Sequence, residues 1–234
     1  MVVCASGSSG LFGTLFALQE WRGSVPSGVT STEPRYRVPF CNEWVPEDYF
    51  VRLGEGEIFE KGAPLEVDLG AGDGSYTLAL AKHYPDRNFL AVERLVGRVQ
   101  KICRRSQKMA LSNLKVLRLE SEYTAEWLLP RHSVARLHLI CPDPWPKAKH
   151  HRRRMIQNEF LETVTQLLVP GGIFVFKTDH EEYFEWAREY IEDFPKLEVT
   201  PFPADNFDPK SDFQLQWEAE GKSLQTLHCV SAKG

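Results

Sequence analysis

The sequence predicts an α/β fold, a doubly wound, mostly parallel seven-stranded sheet that ends in an antiparallel hairpin. Three observations carry this expectation. From Pro64 onward, short apolar runs of strand length alternate with helical patterns of ten or so residues, which is the mark of βαβ units. A glycine-rich turn joins the first of those strands to the first helix. The last two strand-like runs have no helical pattern between them, so they read as a hairpin.

Taken in order, residues 1–55 lack this alternation. Gly, Ser and Pro cluster through 23–28 and an aromatic, mixed-charge stretch follows, so the segment reads as an irregular extension before a folded domain at 56–234. The expected core strands are Leu65–Leu69, Phe89–Val92, Leu114–Leu119, Ala135–Cys141 and Ile173–Lys177. The expected helices between and after them are Tyr76–His83, Val96–Ala110, Tyr123–Leu128, Gln157–Leu168 and Glu181–Ile191. The closing hairpin is Leu197–Thr200 with Leu224–Val230.

The chain has 234 residues, 42% of them hydrophobic and 26% charged, which excludes wholesale disorder and suffices for one sizeable core. No stretch approaches the eighteen-odd apolar residues of a membrane span, so no membrane association is expected. Five cysteines, at 4, 41, 103, 141 and 229, form no CxxC pair and no metal-ligand spacing. They read as free thiols in a reducing compartment, and residues 1–18 carry no basic leader, so a cytoplasmic protein is expected. The neighbouring His150 and His151 rarely point at one ion, and no metal is expected. The net charge of −4 argues, taken alone, against nucleic acid, which leans on Lys and Arg to neutralise phosphate.

The residues at the strand ends point elsewhere. The first strand runs into Asp68-Leu-Gly70-Ala-Gly72-Asp-Gly74 and then a helix. Glycines there let the backbone turn tightly and lie close to a ligand. A dinucleotide fingerprint wants G-x-G-x-x-G, but its last position here is Ser75 and the spacing is D-x-G-x-G-x-G. That form resembles the motif of S-adenosylmethionine-dependent methyltransferases. Glu93 ends the second strand, where doubly wound folds place an acid that takes ribose hydroxyls. Glu120 ends the third and is a candidate acceptor for an adenine amino group.

After the fourth strand comes Cys141-Pro-Asp143-Pro-Trp145-Pro-Lys147-Ala-Lys149-His-His-Arg152-Arg153-Arg154. Three prolines in five residues make a stiff loop that holds Asp143 at the carboxyl edge of the sheet. Trp145 offers a flat face for a base. Residues 147–154 contribute +5 and leave −9 for the remainder, so the mild net charge averages two patches. Cations at a helix start oppose the macrodipole, and a phosphate partner resolves that conflict. A second stripe, Arg94, Arg98, Lys101, Arg105 and Lys108, recurs at helical spacing with no acid between 94 and 108.

Pro142-Asp-Pro-Trp-Pro-Lys147 with the basic run, followed by Lys177-Thr178-Asp179 and by Tyr183 and Trp186, resembles the tRNA (guanine-N7)-methyltransferase family over roughly residues 64–221. The resemblance implies a Rossmann-like class I methyltransferase fold, S-adenosyl-L-methionine as cofactor and tRNA as partner. It implies methyl transfer to N7 of a guanine, the variable-loop guanine first, by a monomer or homodimer. Carried over by position, Asp68, Gly70, Gly72, Gly74, Glu93, Glu120 and Asp143 hold the cofactor, with Asp143 also catalytic. Lys147, Arg152, Arg153, Arg154, Asp179, Leu215 and Glu218 face the RNA. Leu215 stands where the family has Thr, which removes a hydroxyl. Three rivals remain: methylation of an exocyclic base amine, a non-catalytic RNA-binding protein that keeps the fold, and a nicotinamide dehydrogenase, for which the third glycine spacing is wanting.

Overall fold

Eight strands form one sheet: β1 (Glu43–Trp44), β2 (Leu65–Leu69), β3 (Asn88–Val92), β4 (Leu114–Leu117), β5 (Val134–Ile140), β6 (Leu168–Thr178), β7 (Leu197–Val199) and β8 (Gln225–Ser231). Their spatial order is β1-β4-β3-β2-β5-β6-β8-β7. All neighbours pair parallel up to β6, and β8 then pairs antiparallel with both β6 and β7. The computed structural model describes residues 42–232 except 55, 61, 204–206 and 222.

The seven expected strands and the antiparallel end stand where the alternation placed them. β1 is additional: Glu43 and Trp44 pair with Val116 and Leu117 of β4 at the sheet edge. Residues 42–53, read from the sequence as part of the extension, therefore belong to the sheet domain. Leu53 is buried and its N–H donates to the Leu128 carbonyl at 2.9 Å.

Helices form where apolar spacing gives them one face to bury. In α2 (Val96–Lys108) the buried residues are Val99, Ile102, Cys103 and Ser106, an i, i+3, i+4, i+7 stripe. With α1 (Ser75–His83) it covers Phe89, Ala91, Leu114 and Val116 on one side of the sheet. The other side meets α4 (Asn158–Leu167) and α5 (Glu181–Glu192) over Leu90, Val92, Leu137, Leu139, Phe174 and Phe176. Between β4 and β5 a three-residue α3 (Ser121–Tyr123) continues into a π-helical turn, Thr124–Leu128.

Two expectations are corrected. The basic run does not start a helix: Ala148–Arg153 is a 3-10 segment and α4 begins only after Gln157. The supposed conflict with a helix dipole is absent, because the first turn of α4 carries Glu159 instead. The terminal strands are also not a simple hairpin. A sixth helix, α6 (Asp212–Ala219), capped by the Ser211 hydroxyl on Gln214 N–H at 3.0 Å, lies between β7 and β8. Leu215 and Trp217 are two apart, so they give no helical stripe to read.

One part of the sheet is charged rather than apolar. Glu66 and Asp68 of β2, Arg136 and His138 of β5, Lys177 of β6 and His228 of β8 are all buried, each no more than 6% exposed. Registry puts Glu66 opposite Arg136 and Asp68 opposite His138. Glu66 also accepts from His138 Nε2 at 2.9 Å and from Arg87 at 2.6 Å. Burial alone raises a carboxyl pKa, but the His138 hydrogen bond and charge, Arg136 and Arg87 hold that of Glu66 at about 2.

A depressed acid stabilises the fold above its unfolded pKa and loses that contribution as pH falls through the folded one. Wild type is therefore expected to lose roughly 3 kcal/mol more than Glu66→Gln between pH 5 and pH 2, read as the difference in urea-unfolding free energy. Parallel acid profiles for the two proteins contradict this account.

Candidate active site

The carboxyl ends of β2 and β5 open into a cleft of about 250 Å³ lined by Asp68, Gly70, Ala71, Gly72, Asp143 and Trp217 among others. Its floor is the turn after β2. Gly70, Gly72 and Gly74 have φ of +80°, +59° and +78°, a region that side chains with a Cβ resist. At Gly74 the reason is also packing, since a Cβ there meets Ile102 Cγ1 at 2.5 Å. Gly74 thus lets α1 lie against α2, whereas Gly70 and Gly72 border the open space.

The turn is fixed by its own acids. Asp73 accepts from Ser75 N–H at 3.1 Å and Ser75 Oγ at 2.7 Å, which starts α1, and from Lys101 at 2.9 Å. Burial opposes its ionisation, yet these bonds hold its pKa well below the usual carboxylate range. Glu93 accepts from Gly72 N–H at 3.1 Å and Leu95 N–H at 2.7 Å, with Arg98 at 3.6 Å. It therefore staples the glycine turn to the end of β3.

Asp68 is buried, one oxygen accepting from the Thr77 hydroxyl and the other, Oδ1, without a partner. Burial raises its pKa. An unsatisfied buried acceptor beside glycines with positive φ is a binding edge short of its ligand's donor. That donor set fits the polar groups of a nucleoside methyl donor such as S-adenosylmethionine. Glu120, in contrast, caps α3 by accepting from Glu122 N–H at 2.9 Å and Tyr123 N–H at 3.3 Å, and it is exposed.

The Asp143 loop is strained. Cys141 and Trp145 on either side have φ of +51° and +44°, which costs of order 1–3 kcal/mol each. Arg154 holds it. This side chain is among the most deeply buried in the molecule, donating from Nε to the Pro144 carbonyl at 2.8 Å and standing 5.1 Å from the ring centres of both Tyr183 and Trp186. Glu182 lies 3.3 Å away. Arg154 is not available to an RNA phosphate, which corrects the sequence reading. Lys147, Arg152 and Arg153 are exposed, and Arg153 lies 4.9 Å over one face of Trp145. His150 and His151 face different aromatic rings, those of Trp145 and Trp186.

A family model described as "Putative methyltransferase" (Methyltransf_4) matches residues 62–227. The chain belongs to this methyltransferase family. It is 33% identical over 197 residues to the tRNA (guanine-N(7)-)-methyltransferase of Nitrosomonas eutropha, covering 84% of this chain and 83% of that one. It is 31% identical to the enzyme of the same description from Syntrophotalea carbinolica, over 73% of this chain and 75% of that one. Among solved structures, the 16S rRNA methyltransferase KamB superposes with a TM-score of 0.55 at 18% identity, over 74% of this chain and 90% of that one. The fold is that of the class I methyltransferases.

In this methyltransferase the expected residues divide. Asp68, Gly70, Gly72 and Asp143 meet in one cleft. Asp179 is half-buried next to Cys141, whose thiol is pushed up to about 12 by burial and by the Asp179 charge. Leu215 is 52% exposed, and Glu218 pairs with Lys210 at 2.6 Å and accepts from Gln214 at 3.1 Å. Neither lines the cleft. The α6 residue that does is Trp217, joined by Ser211 and by Arg98 of α2, none of which the sequence reading placed there. The signal for Trp217 was adjacency, since it directly precedes Glu218.

Arg154→Met is expected to destabilise the fold by about 1–3 kcal/mol, since it removes the donor to the Pro144 carbonyl and the cation packed against the Tyr183 and Trp186 rings. Arg153→Gln is expected to cost no more than about 0.5 kcal/mol. Urea unfolding of both variants checks the difference, and equal small effects contradict the structural role of Arg154.

Proposed function

We propose that this protein transfers a methyl group from S-adenosylmethionine to N7 of a guanine in tRNA, with the variable-loop guanine as the first position to examine. The observation that carries the reading is the placement of Asp143. It is exposed in the same cleft as the glycine turn and Asp68, and basic surfaces stand on both sides. β3 and β5 flank β2, so Arg94 and Arg98, around the start of α2, follow one neighbour and the loop with Lys147, Arg152 and Arg153 follows the other. All five cations are exposed. A polyanion laid across the cleft meets charge on either side of the reaction point. The 30%-level relatives named above carry the same substrate description.

Asp68, Gly70 and Gly72 are the residues that would hold the cofactor, whose sulfonium supplies an electrophilic methyl when bound. Guanine N7 presents an in-plane lone pair, so no residue here has to remove a proton first. Asp143 accepts hydrogen bonds from the donor edge of the purine and so orients it. Its negative charge also stabilises the positive charge that grows on the ring, which is positioning and preorganised electrostatics rather than base catalysis. The exposed cations hold phosphates and set register.

Incubation with labelled S-adenosylmethionine and unmodified tRNA, followed by borohydride and aniline, is expected to cut the chain at the labelled guanine. Label that resists cleavage transfers the reading to an exocyclic amine, and cofactor binding with no label in any tRNA transfers it to a non-catalytic protein. Asp143→Ala is expected to lower kcat by about 10²–10³-fold with little change in S-adenosylhomocysteine affinity. A near-normal kcat removes Asp143 from the reaction.

Replacing Arg94, Lys147, Arg152 and Arg153 by Gln is expected to weaken tRNA binding. The plot of log Kd against log salt is expected to flatten by roughly one for each phosphate that is no longer neutralised. An unchanged slope places the RNA elsewhere.

A further inference from the structure

The charged part of the sheet has to be covered by something that matches it. α1 does so on one side, with the Tyr76 ring 5.1 Å from the Lys177 ammonium and the Thr77 hydroxyl on Asp68. The remainder is covered by the chain from Phe207 into α6. Asp208 pairs with Lys177, whose side chain is 1% exposed, and it also lies 3.4 Å from the Tyr76 hydroxyl. On its other side that hydroxyl lies 3.4 Å from His138 Nδ1, so Asp208 closes a chain of polar contacts that runs through His138 and Glu66 to Arg87.

Other contacts seat the same segment on α1. Phe207 N–H donates to the Tyr84 hydroxyl at 3.1 Å, and its ring stacks on His83 at 4.0 Å. Asp212 N–H donates to Ser75 Oγ at 2.9 Å, and its carboxylate is 3.5 Å from Arg105. Along α6, none of the residues with described side chains is buried. Phe207 packs against the core and Pro209 and Ser211 are buried, whereas α6 adds no buried side chain among those described, the mark of a locally weak element. Yet Ser211 and Trp217 form one wall of the cleft.

We infer that Lys177 and Asp208 are positioning residues, a latch that holds the Phe207–Ala219 strap as the wall of the methyl-donor cleft. The inference rests on the cofactor reading above. Lifting the strap separates the Lys177 ammonium from the Asp208 carboxylate and gives up their ion pair. The latch therefore drives the strap closed, and Trp217 is delivered to the cleft by a pair that lies on β6 and in the loop, not on α6. The other charges facing this pair are Asp68, Glu66 and Arg136, which act on Tyr76 from the sheet.

S-adenosylhomocysteine binding by calorimetry, with hydrogen exchange on the same samples, tests this. Asp208→Ala and Lys177→Met are each expected to weaken binding at least about tenfold, and to raise exchange in 207–219 while β2 and β6 stay protected. The double variant is expected to bind no worse than the poorer single one, because both remove one interaction. Asp208→Glu is expected to recover part of the affinity. Wild-type binding in Asp208→Ala overturns the latch, as do additive losses or exchange that rises evenly through the sheet. Failure of wild type itself to bind S-adenosylhomocysteine overturns the cofactor reading instead.

Discussion

Everything at the carboxyl edge of this sheet depends on how six buried ionisable side chains are matched. A parallel sheet covered by helices on both sides is ordinarily apolar throughout. Here one side is apolar, and part of the other carries Glu66, Asp68, Arg136, His138, Lys177 and His228, all buried. Isolated, any one of them is strongly unfavourable. Glu66 is matched by His138, Arg136 and Arg87, and Lys177 by Asp208. Asp68 keeps an oxygen with no partner, and it is the one of the six that borders the cleft. Of the two acids, Glu66 is satisfied within the sheet and Asp68 is left incomplete where it borders the cleft.

The same logic governs the glycine turn. Its path is set by the close approach of α1 to α2 at Gly74, and α2 then delivers Lys101 and Arg105 to Asp73 and brings Arg98 to the cleft. Two of the cations in the α2 stripe are thus occupied in holding the turn. Arg104 and Lys108 remain exposed, in a helix that carries no acid. Like charges along a helix repel by a few tenths of a kcal/mol per pair, so the arrangement is tolerated rather than stabilising.

The fold was legible because period-2 and period-3.6 burial leave a direct trace in sequence. Leu65–Leu69 and Val96 onward read as they fold, since their apolar positions decide which face is buried. The site was legible where backbone demands a residue type, as at Gly70 and Gly72. It was not legible where the same residue type serves two purposes. Arg152, Arg153 and Arg154 are identical in sequence, and only the 3-10 turn that ends at Arg153 and the Tyr183 and Trp186 rings decide that the third points inward. Likewise Glu93 directly follows β3, whereas Glu120 stands three residues beyond β4 as the cap of α3, and the oxygens of both are turned to backbone N–H groups.

The inward Arg154 gives the Asp143 loop its character. Cys141 and Trp145 both take a left-handed φ, a conformation that persists only where the surroundings over-determine it. Arg154 grips the Pro144 carbonyl from below, Arg153 lies over Trp145 from above, and Cys141 N–H donates to the Lys177 carbonyl at 2.8 Å. Lys177 thus ties the Asp143 loop through its backbone and the strap through its side chain. The two walls of the cleft share a support at one residue of β6. Strain in the loop and charge in the strand are parts of one support, and both hold Asp143 still in front of whatever enters the cleft.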